Sequence, residues 1–332
     1  MKKRKAPNKR KIIKAKPRQG KKRAGENAVA IAVVPADRYS ILPRCLDAIY
    51  RNTHVPFRVI VVDALADAGS RAYLDRLTAE RPNLSVVRVD RMLSSGNARN
   101  AALELINERY CAIIENDIIV RENWLLPMLT CMREERAAAV GPTIIDLTYG
   151  RIHAIGAMFK ESQKNGRVEF NDVILGREAS LGNAPIHRRH IDYPERHCML
   201  LDRKFLPEKN LFDDVEPFDA DLGYILRKKK LTAHYEPRSV VEFRQSPPID
   251  LIDVEFFKRR WNFERWLVEK ERFTKKWKVD FTFGEKRAFY HSQHRNLLLA
   301  RWFPNRWTLG MANIYSFSKR KLRATVLDVL GK

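Results

Sequence analysis

Between Ala28 and Pro142 the chain alternates short apolar runs with segments of helix length, and this rhythm restricts the fold more than any other feature. AVAIAVV (28–34), FRVIVVD (57–63), LSVVRV (84–89), YCAIIE (110–115) and AAAVGP (137–142) read as strands. ILPRCLDAIYRN, GSRAYLDRLTAE, SSGNARNAALELINE and ENWLLPMLTCMREE read as the intervening helices. Ser40 would cap the first, with Pro43 tolerated in its opening turn, and Pro127 is a point of kinking in the last. Strands joined through helices need crossovers, so the fold expected is α/β, a mostly parallel sheet with helices on both faces. Such sheets bind ligands beyond the carboxyl ends of their strands. That edge is where Asp37, Asp63, Glu115 and Asp117 fall.

Beyond Pro142 the pattern weakens. Residues 143–195 read as an irregular insertion, after which RHCMLLD (196–202) resumes as a strand and FDADLGYILRKKK as a helix. LTAHYE and SVVEF read as two short strands, and the apolar spacing from Asp250 to Trp277 suits one long amphipathic helix.

Charge divides the 332 residues unevenly. The net charge is +23, yet residues 26–257 carry 31 basic and 34 acidic side chains. The excess sits at the ends, with 13 Lys/Arg and no acid in residues 1–25, and 19 Lys/Arg against 6 acids in 258–332. The first tail reads as disordered by self-repulsion, and either as a solubilising segment or as a tether to a polyanion, nucleic acid or an anionic membrane surface. RWFPNRWTLG and SFSKRKLR, near the other end, read as a packed terminal helix, an interfacial membrane contact or a nucleic-acid contact. No apolar run reaches the ~20 residues of a membrane helix, and Cys45, Cys111, Cys131 and Cys198 lack CxxC spacing. A reducing cytoplasm, with peripheral attachment at the inner membrane face, is the location expected.

Three windows carry chemistry. In IIENDII, residues i and i+2 of a strand share a face, so Glu115 and Asp117 would converge and repel unless a hard cation such as Mn²⁺ or Mg²⁺ lay between them; the alternative is a plain turn. SSGNARN (94–100) opens a helix whose free N–H groups, with Arg99, favour an anion; the alternative is an ordinary serine cap. LFDDVEPFDADL (211–222) crowds five acids, either as a carboxylate base for a hydroxyl or as an acidic helix start. HRRHIDYPERH groups His187, His190 and His197 without a zinc spacing and reads as a surface loop or a substrate-binding one.

The order of these windows resembles that of family-2 glycosyltransferases with a GT-A (Rossmann-like) fold, from about Val29 to Trp261. The resemblance rests on the first strand with Pro35-x-Asp37, VIVVDALADAGS, SSGNARNAAL, IIENDIIVRENWL at the D-x-D position, HCMLLDRKFL with LFDD, and DADL. FFKRRW is similar to the family's basic-Trp segment. The resemblance implies that Pro35, Asp37, Asp63, Arg99 and Glu115 contact a nucleotide-sugar, Asp37 and Asp63 holding base and ribose. It implies Asp117 and Glu115 as metal ligands, Asp219 as catalytic base and Asp221 as the last acid of its motif. The activity implied is inverting transfer from a UDP- or GDP-type donor, of one sugar because the membrane spans and Gln of processive relatives are missing. The acceptor could be anionic, a lipid-linked or cell-surface glycan or a modified nucleic acid.

Three positions depart from the family pattern: Glu115 opens the metal motif, Phe218 stands where an acid is usual, and Glu242 replaces a histidine. They leave a second reading, a lapsed GT-A domain that binds nucleic acid or membrane through its basic ends. A sugar-phosphate nucleotidyltransferase would want a Gly-rich loop where PADRYS stands. The organisation expected is a basic tail (1–26), a GT-A domain (27–248) with a nucleotide half to about 142 and an acceptor half beyond it, and a basic helical region (249–332).

Overall fold

In a computed structural model, residues 28–281 are described except 37, 65, 165–166, 177–178, 208–210, 213–219, 245–249 and 261. The first half follows the sequence rhythm closely. β1 (Val29–Val34), β2 (Phe57–Ala64), β3 (Leu84–Val89) and β4 (Tyr110–Glu115) alternate with α1 (Leu42–Asn52), α2 (Ala68–Glu80) and α3 (Ser95–Leu103). A two-residue β5 (Ile119–Val120), α4 (Leu125–Glu134) and β6 (Ala139–Asp146) follow. β1 pairs in parallel with both β2 and β4, and β2 with β3. Pro127 lies in the first turn of α4, where its missing N–H costs no hydrogen bond.

β1 is buried throughout, which explains its unbroken apolar run. Val29, Ile31 and Val33 face α1, α2 and α4, whereas Ala30, Ala32 and Val34 face α3 and α5 (Ala220–Lys228). The two-residue period of a strand thus serves two layers of helices at once.

The second half corrects the expected irregular insertion. Residues 143–195 form regular antiparallel structure: the end of β6, then β7 (Arg151–Ala154), β8 (Ala157–Lys164), β9 (Arg167–Ile174) and a short β10 (Arg189–Ile191). β11 (Cys198–Asp202) inserts antiparallel between β4 and β6. LTAHYE and SVVEF are one strand, β12 (Ala233–Phe243), whose register shifts between Glu236 and Val240 around Pro237. The main order is β10-β12-β6-β11-β4-β1-β2-β3, with β5 on β12 and β7 on β6. The sheet is mixed and mostly parallel over β1–β4.

The single long helix expected after Asp250 is broken into α6 (Val254–Arg260) and α7 (Phe263–Trp277). Asn262 ends the continuity by capping α7, its side chain accepting the Arg265 N–H at 2.9 Å. Ser40 does not cap α1. Its N–H and Oγ–H both donate to Asp253 (2.8 and 2.7 Å), and Phe256 stacks on Tyr39 at 4.9 Å, so α6 is strapped across the end of the sheet next to β1. α7 packs Trp266 and Phe273 against Tyr224 and Tyr193, and β13 (Val279–Phe281) joins β9 and β8 in a small second sheet.

Gly223 marks the tightest point of this packing. A Cβ there would lie 2.5 Å from Phe159 Cζ and 2.7 Å from Tyr193 Cδ1. Gly223→Ala is therefore expected to cost about 1–3 kcal/mol by overpacking. An unchanged denaturation midpoint would refute this.

Candidate functional site

The carboxyl ends of β1 and β4, the start of α3, the residues before β11 and the end of α6 meet at one cleft. Pro35, Ala36, Ser95, Glu115, Arg196 and Arg260 are among its walls. β1 and β4 adjoin, so their ends are held side by side, and Asn116 ties them: its amide accepts from Ala36 N–H (2.5 Å) and donates to the Arg38 carbonyl (2.7 Å). This polar residue, seemingly misplaced in IIENDII, is the clasp between two strand ends.

Glu115 does not share a face with Asp117 in the manner a continuous strand would impose. β4 ends at Glu115, and the Ile118 N–H returns to its carbonyl at 3.1 Å, so Asn116 and Asp117 form a turn. Glu115 is instead enclosed by cations. Arg260 lies at 3.3 Å, His197 at 3.7 Å, and Arg99 and Arg196 at 3.8 Å each. Burial would raise its carboxyl pKa, but Arg260, His197, Arg196 and Arg99 together hold it down at about 2. A buried anion with four positive neighbours is already neutralised, and a metal there would have to displace arginines.

The other expected residues divide. Pro35 lines the cleft. Ser94 caps α3 by accepting the Asn97 N–H at 3.1 Å, and Arg99, in the second turn, points inward to the Arg196 carbonyl (3.1 Å) and over the Phe212 ring (5.1 Å). Asp63 is fully buried: it accepts the Ala66 N–H at 2.9 Å and pairs with Arg71 (3.4 Å) and Arg88 (3.6 Å). Asp117 is 6% exposed in its turn. Asp221 is buried on α5, bound by Lys276 at 2.8 Å and the Trp277 indole N–H at 2.7 Å, which makes it the anchor of α7. Glu242, at the position of the family's histidine, pairs with Arg121. Asp37, Phe218 and Asp219 lie outside the described residues, as do residues 1–27 and 282–332.

Several residues of the site have roles that the sequence did not assign to them. Asn100 clamps the backbone of Phe212 in both directions (2.5 and 3.0 Å), fixing the chain at the residue before the first of the five acids. Arg196 is a lone basic residue ahead of a strand. His197 belongs to no surface loop: it is 5% exposed and its Nδ1 lies 2.5 Å from Glu195.

Residues 31–190 match the family model described as Glycosyl transferase family 2. Over this segment, a little under half of the chain, the sequence is similar to family-2 glycosyltransferases. Among solved structures, GalNAc-T7 with UDP, GalNAc and Mn²⁺ is similar at a TM-score of 0.51 and 14% identity, over 82% of this chain and 58% of that one. This chain therefore spans less than two thirds of that relative, and the likeness concerns the fold, which is GT-A. The mannosyltransferase PcManGT from Pyrobaculum calidifontis in complex with GDP-Man and Mn²⁺ gives a TM-score of 0.46 and 14% identity, over 92% and 79%. No curated protein matches the sequence. No helix among the described residues is long and apolar enough to cross a membrane.

Proposed function

We propose that the chain transfers a single sugar from a UDP- or GDP-type nucleotide-sugar to an acceptor hydroxyl, with inversion at the anomeric carbon and dependence on Mn²⁺ or Mg²⁺. The observation that carries this reading is the cationic cleft at the carboxyl edge, where Arg196 and Arg260 stand beside Pro35, Ala36 and Ser95. Fixed guanidinium groups there suit a departing nucleoside diphosphate, whose charge grows as the sugar leaves. Asp219 is the base that takes the acceptor proton, from the side opposite the leaving group. Pro35, Asp37 and Asp63 form the nucleotide end, with Asp63 acting through the turn it fixes.

The residues fit a hard divalent ion in a restricted way. Such an ion needs only one or two carboxylates when substrate phosphates supply further oxygens. Asp117, held in a turn by Asn116, is the protein ligand in this reading. Glu115 is the counter-ion of the arginines beside it. When bound, the ion would neutralise part of the diphosphate charge. The acceptor is taken as anionic on the strength of the basic ends, 1–25 and 258–332.

One observation favours the lapsed alternative: two positions that depart from the family pattern, Glu115 and Glu242, are engaged by arginines. A thermal-shift screen of UDP- and GDP-sugars with and without Mn²⁺ separates the two readings. The transferase reading expects an upward shift with one donor, enhanced by Mn²⁺, and loss of the Mn²⁺-dependent part in Asp117→Ala. No shift with any donor, alongside polyanion binding that weakens steeply with salt, would establish the lapsed domain instead.

A further inference from the structure

Behind the cleft, three side chains form a group that the transfer reaction does not use. His153 on β7 and the pair Glu195 and His197 ahead of β11 bring one ligand atom each to within 4.8 Å of one another. Among the described residues this is the one such group of three metal-binding side chains. It is built rather than incidental: the Glu195 carboxylate accepts the His197 backbone N–H at 2.9 Å, which sets its orientation. The Phe243 ring, at the end of β12, packs against both imidazoles, at 4.8 Å from His153 and 4.4 Å from His197. Three strands therefore fix the cluster, and none of its members is more than half exposed.

We propose that His153, Glu195 and His197 bind a borderline divalent ion of the Zn²⁺ class, at a site distinct from the oxygen-ligated one proposed at Asp117. Two imidazoles and one carboxylate are the donor set that such ions accept, whereas Mg²⁺ prefers oxygen alone. His153 Nε2 and Glu195 Oε1 are 3.7 Å apart. Two ligands at about 2.1 Å from a tetrahedral ion stand about 3.4 Å apart, so this pair needs only a small closure, while His197 Nδ1 and Glu195, 2.5 Å apart, separate to admit the ion. With Nδ1 of His197 turned to the ion, its Nε2 faces Glu115 at 3.7 Å. That is the outer carboxylate that ligating histidines commonly engage. Arg196 approaches Glu195 at 3.9 Å and opposes the ion, but its guanidinium also faces Glu115. The ion would hold residues 195–197 and thereby the backbone carrying Arg196 into the cleft.

The test uses the full chain, stripped of metal and titrated with Co²⁺, whose visible absorption reports a low-symmetry nitrogen-containing site. One equivalent should produce the band. His153→Ala should abolish it or weaken Co²⁺ affinity at least tenfold, and Asp117→Asn should leave it intact. Since His197 is buried beside Glu115 and its replacement could unfold the chain, His153→Ala, on the more accessible ring, is the deciding variant, with circular dichroism as the control for folding. Absence of the band in the wild type, or its persistence in His153→Ala, overturns the site. Nucleotide-sugar thermal shifts are read in parallel, so a failed Co²⁺ titration with an intact donor response removes this site and leaves the transferase reading standing.

Discussion

Asp219→Asn should lower sugar transfer by about 10²–10⁴-fold while leaving donor-induced thermal stabilisation intact. The amide keeps the shape of the carboxyl group but cannot accept the acceptor's proton. The residues that flank the acidic run are fixed on both sides. At its near end, Asn100 grips the backbone of Phe212 from both sides, and Arg99 lies under the Phe212 ring. At its far end, α5 begins at Ala220, and Asp221 is fastened by Lys276 and Trp277. The described residues on either side, Phe212 and Asp221, are thus both held by side-chain hydrogen bonds, and in sequence Asp219 directly precedes α5. Asp221→Asn serves as the contrasting variant. It would weaken the hold on α7 and lower the melting temperature, because the Lys276 charge loses its partner. Full turnover in Asp219→Asn would remove this residue from the chemistry, and loss of donor binding in the same variant would show that it acts through structure.

Much of the fold was legible because the physics that makes it is local. β1, β2 and β4 are buried on both faces and so read as unbroken apolar runs, and crossover helices between them force parallel pairing. The hairpin of β8 and β9 was not legible, because an antiparallel pair away from the main core needs no strong apolar run. The break between α6 and α7 hid behind a spacing that continues in phase while Asn262 restarts the helix.

The site was legible in kind and less so in detail. Carboxyl ends of strands are predictable positions, so Pro35, Glu115 and Asp117 fall around one edge as expected. What surrounds Glu115 comes from three separate places: α3, two residues ahead of β11, and the end of α6. No spacing rule links positions 99, 196, 197 and 260. The i, i+2 argument failed for a simple reason: the strand stops at the first of the two acids.

Glu115→Ala should destabilise the protein by about 3–5 kcal/mol, the usual cost of stripping a buried charge cluster of one sign. Three arginines and His197 would then face one another around an empty carboxylate position. The pH dependence identifies the cause. Glu115 titrates near 2 in the folded protein against an ordinary 4.5, a depression produced by Arg260, His197, Arg196 and Arg99 against the opposing effect of burial. A lowered carboxyl pKa contributes stability that is complete above about 4.5 and is lost as pH falls towards 2; the difference corresponds to about 3 kcal/mol. His197 acts in another window, since Glu195 and Glu115 raise its pKa although burial lowers it. Its contribution is complete below about 6.5 and fades as pH rises, so the comparison belongs below that value. Melting temperatures of the wild type and Glu115→Gln, measured from pH 6 down to 3, should therefore differ most at the upper end and converge as the medium turns acid. A gap that stays constant with pH would mean that the carboxylate's charge is not what matters. If Glu115 instead served chiefly as a metal ligand, Glu115→Gln would melt like the wild type without metal and lose only its response to Mn²⁺. The two roles thus predict opposite results in metal-free buffer.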